Sequence, residues 1–169
     1  LQFVERHEWI PALGVSYFVG VDGLGVLMVL LTALVVPMAM LASWKATGSP
    51  AGSDERSGTD AGLARPHLYF GLMLFLEAGL FGTFTAQNFF HWFLFWELSL
   101  VPAFFLVRLW GGPQRAPAAT QFFLYTLLGS VAMLLAFLGI FLATGRFDFP
   151  ALAEMGREGT LTSALSARL

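Results

Sequence analysis

The segment that most constrains the fold runs from Phe89 to Trp110 and reads FFHWFLFWELSLVPAFFLVRLW. Its length and apolarity suit a single helix across a membrane, because about 20 residues at roughly 1.5 Å each span ~30 Å. Glu97 lies near its middle, where a carboxylate costs on the order of 2 to 3 kcal/mol unless it is protonated, paired or directed at a polar cavity. The segment therefore predicts a membrane helix with a functional buried acid. A structural hydrogen bond from Glu97 to a neighbouring helix is the alternative.

The composition of the whole chain is that of an integral membrane protein. Hydrophobic residues make up 57% and charged residues 12% of the 169 residues, whereas a soluble domain has roughly 25% charged residues. This length has room for about four spans. A net charge of -2 offers no basic surface for nucleic acid. The chain has no cysteine, which leaves no thiolate metal site or iron–sulfur cluster, and its three histidines lie at unrelated positions. We therefore expect no metal site, no cofactor site and no catalytic redox centre in it.

A second acid, Glu77, lies near the centre of another apolar segment, 67–87. Only a very short turn separates this segment from Phe89, so the two helices must be antiparallel neighbours. Low dielectric and a nearby carboxylate both disfavour the ionised form of such acids. Glu77 is therefore a candidate second station for a proton. The alternative is that it neutralises a basic group on a partner helix.

The rest of the chain follows the same pattern of spans and connections. Asp22 is a candidate N-cap for a first span that contains Pro37, and small residues at helical spacing in the fourth span let another helix approach closely. We expect, in order, an outer loop (1–21), a span (22–44), a cytoplasmic flexible connector (45–66), three spans (67–87, 89–110 and 118–143) and an outer amphipathic tail (144–169). The connector side is taken as cytoplasmic because it carries more lysine and arginine.

Three other residues of the Glu97 segment are candidates for a part in its chemistry. Pro102 removes the amide that would bond the carbonyl of Leu98, which opens a polar spot beside the acid or simply kinks the helix. His91 is either a proton relay or an interface residue. Arg108, eleven residues beyond Glu97, is either a partner of the acid or an interface anchor whose charge reaches the headgroups.

The run from Asn88 to Leu134, NFFHWFLFWELSLVPAFFLVRLWGGPQRAPAATQFFLYTLLGSVAML, resembles one known family. It is similar to the antiporter-like membrane subunit chain M of proton-translocating NADH:quinone oxidoreductase, respiratory complex I. The shared pattern is an aromatic run, Trp-Glu, Pro, Trp-Gly-Gly, Ala-Ala, Phe-Phe-x-Tyr-Thr and Gly-Ser. The DGLGVLMVLLTAL and LFLEAGLFGTF segments are similar to the preceding helices of that family. Asn88 and Gln121 stand where the family often has Asp and Lys.

The resemblance implies an all-α integral membrane protein, part of an antiporter-like inverted-repeat bundle. It implies that Glu97 is the family's essential membrane glutamate, which pairs with a lysine on a later broken helix, so the chain is expected to be a piece of a longer protein. NADH, FMN, iron–sulfur clusters and quinone are implied on partner subunits. Other membrane subunits of complex I and the lipid bilayer are the expected partners, and a bacterial inner (plasma) membrane is the expected location.

Two other functions stay open at this point. One is a subunit of a multi-subunit sodium/proton antiporter or of a membrane-bound hydrogenase, which use the same helices for ion exchange. The other is a non-transporting membrane assembly protein. In the transporting cases the enzyme activity would belong to the assembly, with this chain as one subunit of a translocase.

Overall fold

The described part of the protein folds into four long helices, with a hairpin before them and two short helices after them. A computed structural model describes residues 1–11, 14–47 and 65–166. Its elements are β1 (Gln2–Ile10), β2 (Val15–Val21), α1 (Gly23–Thr47), α2 (Pro66–Thr85), α3 (Phe89–Trp110), α4 (Arg115–Thr144), α5 (Phe149–Arg157) and α6 (Thr160–Ser166). Helices α1 to α4 are each long and apolar enough to cross a membrane. The prediction of a helical membrane protein with about four spans is confirmed, and the described chain contains a hairpin in addition to its helices.

The ends of the helices follow local signals in the sequence. Helix α3 has the bounds that its apolar run predicts. Asp22 caps α1, because its Oδ1 accepts a hydrogen bond of 2.6 Å from the amide of Gly25. Helix α2 begins at Pro66. Proline suits a first turn because it lacks the backbone N–H that would have no helical partner there. Helix α4 is longer than predicted and begins at Arg115. Of the predicted connector, residues 48–64 lie outside the described part of the chain.

Residues 1–21 contain an antiparallel hairpin, so the prediction of a loop over this range is wrong. The turn is closed by Gly14, whose φ of +64° is in the left-handed region and whose amide donates to the carbonyl of Pro11 at 3.1 Å. Strand β1 is exposed along almost its whole length, whereas β2 buries Val15 and Phe18. The charged residues of β1 are typical of a loop. Because the strand is exposed along almost its whole length, its sequence lacks the alternation of apolar and polar residues that marks a half-buried strand.

The four long helices pack in chain order, α1 on α2, α2 on α3 and α3 on α4. The contact between α2 and α3 is close because glycine faces a side chain at two levels. A Cβ at Gly79 would lie 3.0 Å from Cβ of Ser99, and a Cβ at Gly82 would lie 2.1 Å from the Phe95 ring. The two helices are antiparallel neighbours, as their short turn predicts. In α4, by contrast, a Cβ added at Gly129 would meet nothing within 4 Å.

The predicted amphipathic tail contains α5 and α6. Helix α4 ends at Thr144 and is capped by Gly145, which has a φ of +69° and donates its amide to the carbonyl of Phe141. The following residues return to the turn between α2 and α3, where Asn88 and Asp148 form an antiparallel bridge. On the other side of this turn, Ala86 bridges to Val19 of β2. The hairpin, the α2–α3 turn and the α4–α5 connection therefore meet at one end of the bundle, which we name the hairpin end.

Candidate functional site

Glu97 lies in the middle of α3, on a helix that is well defined at both ends. The side chain of Asn88 accepts a hydrogen bond of 3.0 Å from the amide of Phe90 and so caps the first turn. The amide of Gly111 closes the last turn on the carbonyl of Val107 at 2.9 Å. A helix held at both ends keeps Glu97 at a fixed depth between them.

The carboxyl group of Glu97 is partly buried, and its Oε1 atom is completely buried. Among the described residues, none donates a hydrogen bond to Oε1. A buried oxygen without a partner costs roughly 1–3 kcal/mol. A donor from another helix or a water molecule would supply the missing hydrogen bond. The arrangement therefore leaves one carboxyl oxygen of Glu97 open to a further partner.

Glu77 lies on α2 and is also partly buried. The two glycine contacts between α2 and α3 set the register of the helices, and they place Glu97 level with residues 80 and 81. Glu77 is therefore about one turn, or roughly 5 Å, further from the shared turn than Glu97. In the described chain, no hydrogen bond joins the two carboxyl groups. The acids lie on adjacent helices at depths that differ by about one helical turn.

Pro102 is among the most deeply buried side chains and lies five residues after Glu97. It supplies no amide to the carbonyl of Leu98, so the backbone has an acceptor without its helical donor next to the acid. Between Glu97 and Pro102, Ser99 donates its hydroxyl to the carbonyl of Trp96 at 2.7 Å. The backbone around Glu97 is thus more polar than that of an uninterrupted apolar helix.

His91 is buried under the hairpin and not at an open surface, with 4% of its surface exposed. Its ring lies 4.8 Å from that of Tyr17 on β2 and 4.9 Å from that of Phe95, measured between centroids. Within the described residues, its Nδ1 atom has no hydrogen-bond partner. The residue lies six positions before Glu97 on α3, about 9 Å along the axis. The position of His91 therefore joins α3 to the hairpin, at a distance from the acid.

Arg108 lies in the last turn of α3 and is exposed. Its guanidinium carbon is 5.6 Å from the centre of the Phe104 ring. The eleven residues between Glu97 and Arg108 correspond to roughly 16 Å along the helix. The position suits an interface anchor better than a partner of the acid. Among the described residues, no group of three His, Asp or Glu side chains is arranged to hold a metal ion.

A polar cluster at the hairpin end was not predicted from the sequence. Asp148 accepts hydrogen bonds from Arg6, Asn88 and Ser16, which lie 60 to 142 residues away along the chain. Because the contacts are so distant in sequence, no local pattern marks them. The only local sign is the Asp-Phe-Pro sequence at positions 148–150, which is typical of a helix start.

The fold and the site define a class of protein, a multi-pass membrane protein with carboxyl groups inside its helices. Residues 86–168 match the family described as NADH:quinone oxidoreductase/Mrp antiporter, transmembrane. The chain therefore belongs to the antiporter-like membrane subunits of that family. This confirms the resemblance seen in the sequence from Asn88 to Leu134.

Relatives of several kinds are similar to this chain. F420H2 dehydrogenase subunit M of Methanosarcina mazei is 41% identical over 141 residues, 83% of this chain and 26% of that protein. NAD(P)H-quinone oxidoreductase chain 4 of Trichormus variabilis is 40% identical over 155 residues, 89% of this chain and 26% of that protein. The chain thus spans about a quarter of the length of these curated relatives.

A solved structure has a similar fold. The Mrp complex from Dietzia sp. DQ12-45-1b superposes with a TM-score of 0.65 and 26% identity, over 86% of this chain and 14% of that one. The similarity extends over most of the chain and so includes most of the helical bundle. This chain therefore shares its helix arrangement with part of an Mrp complex, and the description of the matching family also includes Mrp antiporters.

Proposed function

We propose that this chain is part of a proton-translocating membrane subunit of an NADH:quinone oxidoreductase and that Glu97 carries the proton. The observation that carries the proposal is the buried, unbonded Oε1 atom of Glu97 in a membrane-spanning helix of the described chain. Intramembrane acids are usually found on ion or proton routes, because their burial is costly. The similarity to NAD(P)H-quinone oxidoreductase chain 4 supports the same assignment.

In this proposal Glu77 is a second station on the route. It lies on the adjacent helix, at a depth about one turn from that of Glu97. Pro102 keeps a carbonyl beside Glu97 free to bind water or a donor. A proton would therefore pass between groups that the α2–α3 contact holds at fixed depths.

The redox chemistry belongs to other subunits in this proposal. NADH, FMN, iron–sulfur clusters and quinone would be bound there, and movements in those subunits would change the surroundings of Glu97. The expected neighbours are other membrane subunits of complex I in a bacterial inner membrane. Support comes from the relatives, whose names describe subunits of oxidoreductases.

A second candidate is a subunit of a sodium/proton antiporter, which the similarity to the Mrp complex favours. The helices would then exchange ions without electron transfer. The similarity to F420H2 dehydrogenase subunit M favours a redox-driven enzyme with a different electron donor. A membrane-bound hydrogenase subunit and a non-transporting assembly protein are the remaining alternatives.

The experiment is to tag the full-length natural protein, extract its assembly in mild detergent, and measure quinone reduction with NADH and, separately, with reduced F420. NADH-dependent activity that copurifies is the expected result. Activity with reduced F420 alone would indicate that the chain is a subunit of an F420H2 dehydrogenase. A stable assembly without quinone reduction would contradict the proposal and favour the antiporter.

A further inference from the structure

Asp148 gathers polar groups from distant parts of the chain at the hairpin end. Nη2 of Arg6 donates to its Oδ2 at 2.5 Å, Nδ2 of Asn88 donates to its Oδ1 at 2.8 Å, and the hydroxyl of Ser16 lies 3.4 Å from the same oxygen. The Asp148 side chain is 14% exposed and Asn88 is completely buried. The buried side-chain amide of Asn88 thus has the Asp148 carboxylate as its acceptor, and Arg6 balances the charge of that carboxylate.

The backbone of the α2–α3 turn is bonded on both sides at this same point. The amide of Gln87 donates to the carbonyl of Phe18 at 2.8 Å on the hairpin side. On the other side, the amide of Phe89 donates to the carbonyl of Phe147 at 2.8 Å, and the amide of Phe149 donates to the carbonyl of Gln87 at 2.9 Å. The turn is therefore the middle strand of a short three-stranded arrangement, and Asp148 lies beside it.

Asn88 uses both ends of its side-chain amide. Its Oδ1 accepts from the amide of Phe90 and caps α3, while its Nδ2 donates to Asp148. An aspartate at position 88 would still cap the helix. It would also place a second carboxylate at hydrogen-bond distance from Asp148, where like charges repel and the donor Nδ2 of Asn88 is lost. The side chain at position 88 must therefore offer a donor as long as position 148 carries a carboxylate.

We propose that Asp148 is a positioning residue: acting through Asn88, it holds the first turn of α3, and with it Glu97, in place against α2. The inference rests on the proposed function, because it assigns Asp148 a part in proton transfer at Glu97. Glu97 is nine residues from Asn88, about 13 Å along one continuous helix. A tilt of α3 at its capped end shifts Glu97 relative to the neighbouring helices, and proton transfer depends on where its carboxyl group lies.

The test compares three variants of the full-length protein in its purified assembly: Asn88→Asp, the double variant Asn88→Asp with Asp148→Asn, and the control Glu158→Gln. Glu158 is an exposed acid of the same tail outside the cluster. In the double variant, the new amide at position 148 donates to the new carboxylate at position 88 and still accepts from Arg6. Two quantities are measured, amide hydrogen exchange at Gln87, Phe89 and Phe149, and the number of protons pumped per quinone reduced in proteoliposomes.

We expect Asn88→Asp to speed exchange at the three amides by about tenfold, the effect of losing roughly one charged hydrogen bond, and to lower the pumping ratio. The double variant should restore both quantities, and Glu158→Gln should change neither. Unchanged exchange in Asn88→Asp, or no restoration in the double variant, overturns the proposal. Faster exchange with a normal pumping ratio also overturns it, because Asp148 would then hold the turn without positioning Glu97.

Glu97→Gln, measured in the same proteoliposomes, separates the two proposals. If it pumps normally, the proposed function of Glu97 fails, whatever the exchange data show. If it abolishes pumping while Asn88→Asp leaves the ratio unchanged, the function stands and the positioning role of Asp148 fails.

Discussion

Gly82 is the position where the structure leaves least room for a side chain between α2 and α3. A Cβ there would lie 2.1 Å from Cδ1 and 2.3 Å from Cγ of Phe95, whereas carbon atoms in contact are about 3.5–4 Å apart. In Gly82→Ala, the ring or the helix must move by roughly 1.5 Å, the difference between these distances. The ring also contacts His91, so it cannot turn away freely. Overpacking of this kind costs about 1–3 kcal/mol.

The matched control is Gly71→Ala, the same change on the same helix at a position with nothing within 4 Å. The assay heats the detergent-extracted assembly of the full-length protein and measures the fraction that remains intact by size-exclusion chromatography. Gly82→Ala should lower the midpoint below that of Gly71→Ala, because overpacking removes about 1–3 kcal/mol of stability. Adding Phe95→Leu should recover part of the loss, because it removes the ring that the new methyl group meets. Equal midpoints for Gly82→Ala and Gly71→Ala would refute the close contact.

Two further predictions concern the ends of helices. Asp22→Ala should lower the stability by about 1 kcal/mol, because it removes the 2.6 Å hydrogen bond from the amide of Gly25. Hydrogen exchange in the first turn of α1 should become faster in Asp22→Ala and stay near normal in Asp22→Ser. Unchanged exchange in Asp22→Ala would contradict the cap. Phe89→Ala should lower the stability by roughly 3–5 kcal/mol. The Phe89 side chain is 1% exposed, and its ring stacks on that of Phe137 with 3.6 Å between the ring centroids. The heating assay should show a much smaller change for Phe122→Ala, an exposed position; similar losses for both would contradict the packing.

The spans were predictable because membrane helices have a strong local signal. The bounds of α3 follow from one apolar run between Asn88 and the Gly-Gly-Pro sequence at positions 111–113. Backbone groups in a bilayer must bond within the segment, so no long-range information is needed to form it. The N-cap at Asp22 is equally local, since its partner is three residues away.

The hairpin and the Asp148 cluster were not predictable in the same way. Strand pairing between β2 and Ala86, and the bond between Asn88 and Asp148, depend on contacts between residues 60 or more positions apart. The Pro11 and Gly14 turn was the one local sign of the hairpin. It was outweighed by the charged residues of β1, which are typical of a loop.

The candidate site was predictable in its residues and less so in its geometry. An acid inside an apolar run is visible in the sequence, and this singles out Glu97 and Glu77. Their relative depth depends on how α2 and α3 slide along each other. The glycine contacts set that register, and a sequence shows small residues without showing what packs against them.

The most direct test of the central claim is proton pumping by Glu97→Gln in the full-length protein, reconstituted with its assembly into proteoliposomes. Glutamine keeps the shape of the side chain and removes the group that binds the proton. Glu158→Gln is the control for the loss of an exposed acid. We predict that the Glu97→Gln assembly forms in normal amounts and that its pumping falls by at least about tenfold, since a proton-transfer group contributes a factor of that size or more. Normal pumping in that variant would contradict the account.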